Sequence, residues 1–244
     1  MASDRLPAPR RGEWRSLVRE RDQSFEEYVR VCSNRKSPAR SRLVIVPLGG
    51  LEGRAAPTLG LLRDYGAAFF GLASALAGGV PLPDAAHVPQ RGQYNSSMIL
   101  DDLAGRAEAD ALVTLGVTDA DLFSRGKRYV FGEGNLERPV GVCSLARLGP
   151  PDGPLFRRRA LRLMSHEAAH VLSLPHCVRR RCLMQGANTI EECDGHPLEP
   201  CAEDFRKLRW NTGLDPGRRA AGLVALYAAL GWTAEGGFPG TDLG

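Results

Sequence analysis

"SHEAAHVLSLPHCVRRRCLMQGANTIEECDGHPLEPCAEDF", Ser165–Phe205, holds four of the five histidines and four of the six cysteines of this 244-residue chain. His166 and His170 lie four residues apart with Glu167 beside the first. On an α-helix that spacing is about one turn, roughly 6 Å of rise, so both imidazoles project from one face and can grip one ion. Glu167 is then placed to reach a water on the ion rather than the ion itself. Leu161, Met164, Ala168, Val171 and Leu172 fall in an apolar stripe opposite the histidines. The spacing predicts a helix over 156–172 that buries one face and offers histidines on the other. His176 follows past the expected helix end, where the chain can double back and supply a third nitrogen. Three protein ligands and one open position is the donor set of a catalytic zinc.

Cys177 stands directly after His176, and Cys182, Cys193 and Cys201 trail behind it. Six cysteines without a secretory leader, four of them crowded around histidines, predict metal ligation in a reducing, cytoplasmic compartment rather than disulfides. Cys32 and Cys143 have no partner pattern; Cys143 reads as a packed thiol in a strand, and His87 as a surface residue.

The segment "SHEAAHVLSLPHCVRRRCLMQG" (Ser165–Gly186) resembles the archaemetzincins. "GVTDADLF" (Gly116–Phe123), "YVFGEGNLERPVGVCSLARL" (Tyr129–Leu148) and "RRALRLMSHEAAH" (Arg158–His170) extend the likeness, which runs from about Leu43 to Trp232. The resemblance implies a metzincin-like mixed β-sheet with an active-site helix and a C-terminal helical, zinc-stabilised segment. It implies a zinc metallopeptidase in which His166, His170 and His176 hold the catalytic zinc. Glu167 would then be the general base activating a zinc-bound water, with Met184 an apolar floor beneath the metal. It further implies a second, structural zinc on Cys177, Cys182, Cys201 and one more ligand, so two Zn2+ per chain.

This chain departs from the family pattern twice. Ser173 stands where a glycine usually ends the active-site helix; such an exit often needs positive φ, which residues other than glycine adopt at a cost of about 1 kcal/mol. The family's final CxxC becomes "CAED", so Asp204 occupies the register of the last cysteine. A structural zinc wants four closed ligands. Asp204 is the register match, Cys193 in "CDGH" is the alternative, and His196 or an open position completes the choices.

The remaining chain reads as α/β. Residues 1–13 are polar and expected to lack fixed structure, and a first helix is expected from Trp14 to Val31. "LVIVPLG" (Leu43–Gly49) and "ALVTLGV" (Ala111–Val117) are buried strands. Helices are expected over Pro57–Leu76, from an Asn95 or Ser96 cap to Leu103, and over 215–231. "RYVFG" (Arg128–Gly132) and "VGVCSLARL" (Val140–Leu148) read as adjacent strands, one of them the edge beside which an extended substrate would lie. The expected organisation is a basic tail and helix over 1–42 and a catalytic domain over 43–244 that includes the cysteine-rich segment 177–204. Residues 1–42 carry 11 Lys/Arg against 6 Asp/Glu, whereas the rest is near neutral. The basic excess is therefore local, and nucleic acid is not the expected partner. The longest uncharged run, Tyr65–Pro83, is Ala/Gly-rich and broken by prolines, so a buried helix ending at Gly78-Gly79 is expected there and no membrane span. A peptide or protein substrate is expected. The rival is a zinc-stabilised, non-catalytic binding module of the same fold, whose "CVRRRC" arginines could face phosphate.

Overall fold

In the computed structural model of the chain, residues 5–51, 55–151 and 153–232 are described. The N-terminal region holds two short helices, α1 (Trp14–Leu17) and α2 (Phe25–Val31). The single helix expected over 14–31 is thus two, because Ser24 starts a fresh one. Its hydroxyl accepts from the Glu27 N–H at 3.1 Å, and the Glu27 carboxylate accepts from the Ser24 N–H at 2.9 Å. This reciprocal capping box fixes a helix start at Phe25. Residues 5–13 are not free either: Leu6 N–H donates to the Arg179 carbonyl at 2.8 Å.

β1 (Arg42–Pro47) is followed by α3 (Ala56–Phe70) and β2 (Ala73–Leu76). The helix expected to run to Leu76 stops at Phe70, because Gly71 turns left-handed at φ +63 and frees the chain to enter a strand. Two short strands, β3 (His87–Val88) and β4 (Gln93–Asn95), lead into α4 (Ser96–Arg106), capped by the Asn95 side chain. Then come β5 (Ala111–Thr118), β6 (Leu122–Phe123), β7 (Gly132–Gly134) and β8 (Val140–Ser144). Four helices close the chain: α5 (Pro154–Val171), α6 (Ile190–Asp194), α7 (Ala202–Thr212) and α8 (Pro216–Ala229).

The main sheet has the order β2-β1-β5-β8-β7, parallel except for β7, which runs antiparallel to β8 at one edge. Both faces are covered, as parallel strands require. Leu43, Ile45, Val113 and Leu115 point into a core shared with α3 and α5, while Val44, Val46, Val140 and Val142 pack against α4. A small sheet, β3-β4-β6, sits apart. The strand expected over Arg128–Gly132 forms instead at Gly132–Gly134, with only a bridge at Val130 before it, and it is the edge, whereas β8 is interior. No helix among the described residues is long and apolar enough to cross a membrane.

Helix α5 is buried on almost every side from Ala160 onward, including the face that carries the histidines. Its exit is a Schellman motif: Ser173 N–H donates to the His170 carbonyl at 2.8 Å and Leu174 N–H to the Ala169 carbonyl at 3.1 Å. The left-handed residue of that motif is Ser173, at φ +66. Its hydroxyl donates to the Leu136 carbonyl at 2.9 Å, a bond that a glycine could not make and that offsets the backbone cost. Both Ser173→Gly and Ser173→Ala lose this bond, but only alanine keeps the left-handed Cβ penalty. Urea unfolding is expected to find the glycine variant more stable than the alanine variant by about 1 kcal/mol.

Candidate zinc centres and active-site cleft

His166 and His170 lie in the C-terminal half of α5, both buried, with Nε2 atoms 3.1 Å apart. That distance is close to the edge, about 3.3 Å, of a tetrahedron with metal–nitrogen bonds of about 2.0–2.1 Å. The turn at Ser173 brings His176 back so that its ring centroid is 4.6 Å from that of His170 and 5.4 Å from that of His166. One nitrogen of each imidazole lies within 4.8 Å of the other two.

The other nitrogens are engaged. His166 Nδ1 meets the Leu183 carbonyl at 2.9 Å and His170 Nδ1 the Leu174 carbonyl at 2.7 Å. His176 Nδ1 meets the Glu20 carboxylate at 2.9 Å. A bond at Nδ1 fixes the tautomer that leaves Nε2 as a lone-pair donor. Burial, with the neighbouring imidazole adding to it, holds His166 well below the usual imidazole range and His170 down at about 3. Both are therefore neutral, the form that binds metal.

Glu167 is buried beside them. Burial, then the nearby Glu133, pushes its carboxyl up to about 8, while Arg162 and the Gly134 N–H work in the opposite direction. A cation on the three imidazoles would also favour its ionised form. A cleft of about 320 Å³ opens over this group, lined by Trp14, Tyr129, Arg162, His166, Glu167 and His176. A second of about 300 Å³ shares the same two helix residues and His176 and reaches Glu20, Lys127 and Glu133.

Cys177, Cys182, Cys201 and Asp204 form a second buried cluster, their ligand atoms within 4.8 Å of one another. Cys177 Sγ is 4.0 Å from Cys201 Sγ, and Asp204 Oδ2 is 3.1 Å from Cys182 Sγ and 3.6 Å from Cys201 Sγ. A tetrahedron on metal–sulfur bonds of about 2.3 Å has edges near 3.8 Å, so the donor set fits one zinc with all positions filled. Burial, then Cys201, pushes the Asp204 carboxyl up to about 6, while the Lys207 ammonium 2.9 Å from Oδ1 pulls it down. Burial holds Cys182 well above the ordinary thiol range, and bonds from Cys182 and Cys201 hold Cys177 below it. Of these acids it is Cys182 that burial holds in its protonated form, a proton that a cation bound there would displace.

Cys193 and His196 stand outside that cluster. Cys193 Sγ accepts from Arg162 Nη1 at 3.3 Å, and His196 Nδ1 lies 2.9 Å from Arg162 Nη2. Of the candidates for the fourth position, the fold brings Asp204 to the three thiols and leaves the other two at the guanidinium. Cys143 is a packed thiol, 1 % exposed, and His87 is an exposed residue against Tyr94. Met184 is fully buried, and its carbonyl accepts from the Cys177 N–H at 2.9 Å.

The sequence model of peptidase family M54 matches residues 84–210, more than half of the chain and all seven clustered residues. The chain belongs to peptidase family M54. An archaemetzincin of Archaeoglobus fulgidus is 38% identical over 120 residues, 49% of this chain and 71% of that protein. One from Methanocaldococcus jannaschii is 32% identical over 174 residues, 69% and 93% of the two lengths. The crystal structure of archaemetzincin from Methanopyrus kandleri aligns with TM-score 0.64 and 27% identity over 73% of this chain and 99% of its own. That from A. fulgidus, complexed with malonate, gives 0.60 and 31% over 68% and 99%. The sheet and helices are accordingly metzincin-like, and this M54 member is a zinc metallopeptidase, acting on peptide or protein substrates.

Three residues at these centres escaped the sequence reading. Lys207 had a usable signal, since it follows Asp204 by three on the same helix. Trp14 and Glu20 had none, because they arrive from the other end of the chain. The edge strand β7 also presses on α5 more closely than any side chain would permit: a Cβ on Gly134 would lie 2.4 Å from the Glu167 carbonyl oxygen and 2.6 Å from His170 Cβ. Gly134→Ala should therefore push β7 off the helix, costing about 1–3 kcal/mol in denaturant unfolding and lowering peptide cleavage. Gly60→Ala, in mid-helix with open space around it, should instead leave stability equal or higher.

Proposed function

We propose that His166, His170 and His176 hold the catalytic zinc of this peptidase, and that Glu167 is its general base. The observation that carries this is the convergence of three imidazole nitrogens, within 4.8 Å of one another, on the wall of the cleft of about 300 Å³ that Glu167 also lines. A zinc held by these three residues would lower the pKa of a bound water towards about 7 and polarise a scissile carbonyl. Glu167 takes the proton of the attacking water and returns it to the departing amine. Burial raises that carboxyl to about 8, and a cation on the three imidazoles would favour its ionised, proton-accepting form. The substrate lies extended beside β7, whose outer edge is unpaired in the sheet, and main-chain bonding there is tolerant of sequence.

Glu167 is not a ligand in this reading. Glu167→Gln should abolish peptide cleavage while zinc content and melting temperature stay at wild-type values. Zinc lost from that variant would give the glutamate a different role.

Cys177, Cys182, Cys201 and Asp204 hold a second, structural zinc, which makes two ions per chain. Lys207 is the outer partner that orients the Asp204 carboxylate and offsets the surplus negative charge of three thiolates and a carboxylate. Asp204 also sits in the first turn of α7, where a carboxylate favours the helix dipole. The two roles separate by metal content. Asp204→Ala should lower the melting temperature and halve zinc per chain, whereas Cys193→Ser should leave both unchanged. Elemental analysis of the purified variants decides it: zinc retained in the first and lost in the second would give the fourth position to Cys193.

A further inference from the structure

The three imidazoles are not held alike. His166 and His170 are fixed by the backbone of α5 and by main-chain carbonyls at Nδ1. His176 lies in an irregular segment after Leu174 and Pro175, so nothing in its own element orients its ring. What orients it comes from 156 residues earlier in the chain: both oxygens of Glu20 lie within 3.2 Å of His176 Nδ1.

A second contact bears on the same ring. The Trp14 indole lies over the His176 imidazole, centroids 4.5 Å apart and planes inclined at 58°. Trp14 is itself buried, its N–H donating to Glu192 Oε1 at 2.8 Å. It rests on Gly186, where any Cβ would come within 2.3 Å of the indole. The chain on either side is tied down as well, at Leu6 to the Arg179 carbonyl, at Asp22 to Arg179, and at Phe25 to the Glu203 carboxylate. The arm therefore runs along the cysteine-rich segment at several points and touches the site at two.

We propose that Glu20 and Trp14 are positioning residues for the third zinc ligand: the N-terminal arm supplies the carboxylate and the aromatic wall that fix the His176 ring and its tautomer. A carboxylate on Nδ1–H raises the basicity of Nε2 and selects the metal-binding tautomer, and losing such a partner costs about 10- to 100-fold in metal affinity. Both residues lie outside the matched span 84–210. The inference rests on His176 being a ligand, as proposed above.

The test is a double-mutant cycle on the full-length, two-zinc protein, read as catalytic-site zinc affinity by competition with a chelator and as the visible spectrum of the cobalt-substituted site. Glu20→Ala should weaken zinc by about 10- to 100-fold and alter the cobalt spectrum, with the structural zinc retained. Glu20→Gln, nearly isosteric and still able to accept from Nδ1–H, should lose less; it also serves if the alanine variant fails to fold. In a His176→Ala background, Glu20→Ala should have no further effect on affinity, because the coupled partner is gone. A Glu20→Ala protein with wild-type zinc affinity and cobalt spectrum, beside a His176→Ala protein that has lost affinity, would overturn the positioning role and leave the ligand set standing. An equal Glu20→Ala loss in both backgrounds would overturn it too, reducing the arm to general packing. Wild-type affinity in His176→Ala itself would overturn the ligand assignment and with it this inference.

Discussion

The reversal of the chain at Ser173 is the constraint on which both metal clusters depend. Helix α5 must stop within one turn of His170, and the chain must come back across the helix face within six residues, or His176 cannot approach its two partners. The Schellman bonds and the left-handed Ser173 accomplish this, and the Ser173 hydroxyl anchors the turn to the loop after β7 through the Leu136 carbonyl. The next residue after His176 is Cys177, which belongs to the other cluster. Side chains of adjacent residues diverge, so one peptide unit carries a proposed ligand of each site. The Cys177 N–H is held by the Met184 carbonyl, and the neighbouring Leu183 carbonyl holds His166. The cysteine cluster is in this sense the foundation of the histidine cluster: it clamps the segment from which both His176 and the carbonyl partner of His166 are presented.

The two clusters handle burial in opposite ways. His166 and His170 are buried as neutral groups, so they cost little to bury before a cation arrives and leave room for an exchangeable ligand facing the cleft. The thiols and Asp204 are acids buried at nine-tenths or more of their surface. Ionised without a cation they would repel one another strongly in low dielectric, and Lys207 offsets only one charge. With the proposed zinc on these four residues, metal binding and folding of the segment 177–204 would be one event. That fits a site with no face open to substrate, whereas the histidine site needs its open face for chemistry.

How far the sequence disclosed this follows from the range of each interaction. The histidine pair was legible because a four-residue spacing on a helix determines geometry by itself, and His176 because the turn to it is short; the grouping of Cys177, Cys182 and Cys201 came from the family resemblance. The central strands β1 and β5 announced themselves as β-branched runs. The errors fell where local signals compete. Apolar spacing alone fused α1 and α2, although the S-x-x-E pattern at Ser24 was present to divide them. Alanine-rich composition carried α3 through Gly71 into β2. Asp204 could be placed by register only to within a choice of three residues, since nothing in "CDGH" excludes Cys193; what excludes it from the cluster is Arg162, one turn before His166, which takes both Cys193 and His196 as partners. Glu20 was beyond reach, because no local pattern links a carboxylate to a histidine so far along the chain.

The arm that brings Glu20 is anchored unevenly, and this sets where the site is soft. Its C-terminal end is locked by a buried polar network: the Tyr28 hydroxyl donates to the Leu172 carbonyl at 2.7 Å, and Asn211 Nδ2 donates to Tyr28 and to the Asn34 carbonyl at 2.7 and 2.9 Å. Asn34 in turn donates to the Val171 and Leu112 carbonyls. These bonds tie α2 to the last turn of α5 and to β5, so opening there means breaking the core. From Leu17 to Ser24 the chain is largely exposed and held by single hydrogen bonds and surface ion pairs, and Trp14, three residues before that stretch, is sunk into the protein. Local opening is cheapest where buried apolar contact is sparse. Trp14 therefore does for the arm what Tyr28 does for α2, and the ring it covers is the histidine that α5 does not hold. If His176 holds the ion as proposed, ordering of the arm and capture of the ion would be thermodynamically linked: whatever favours one would favour the other by the same free energy.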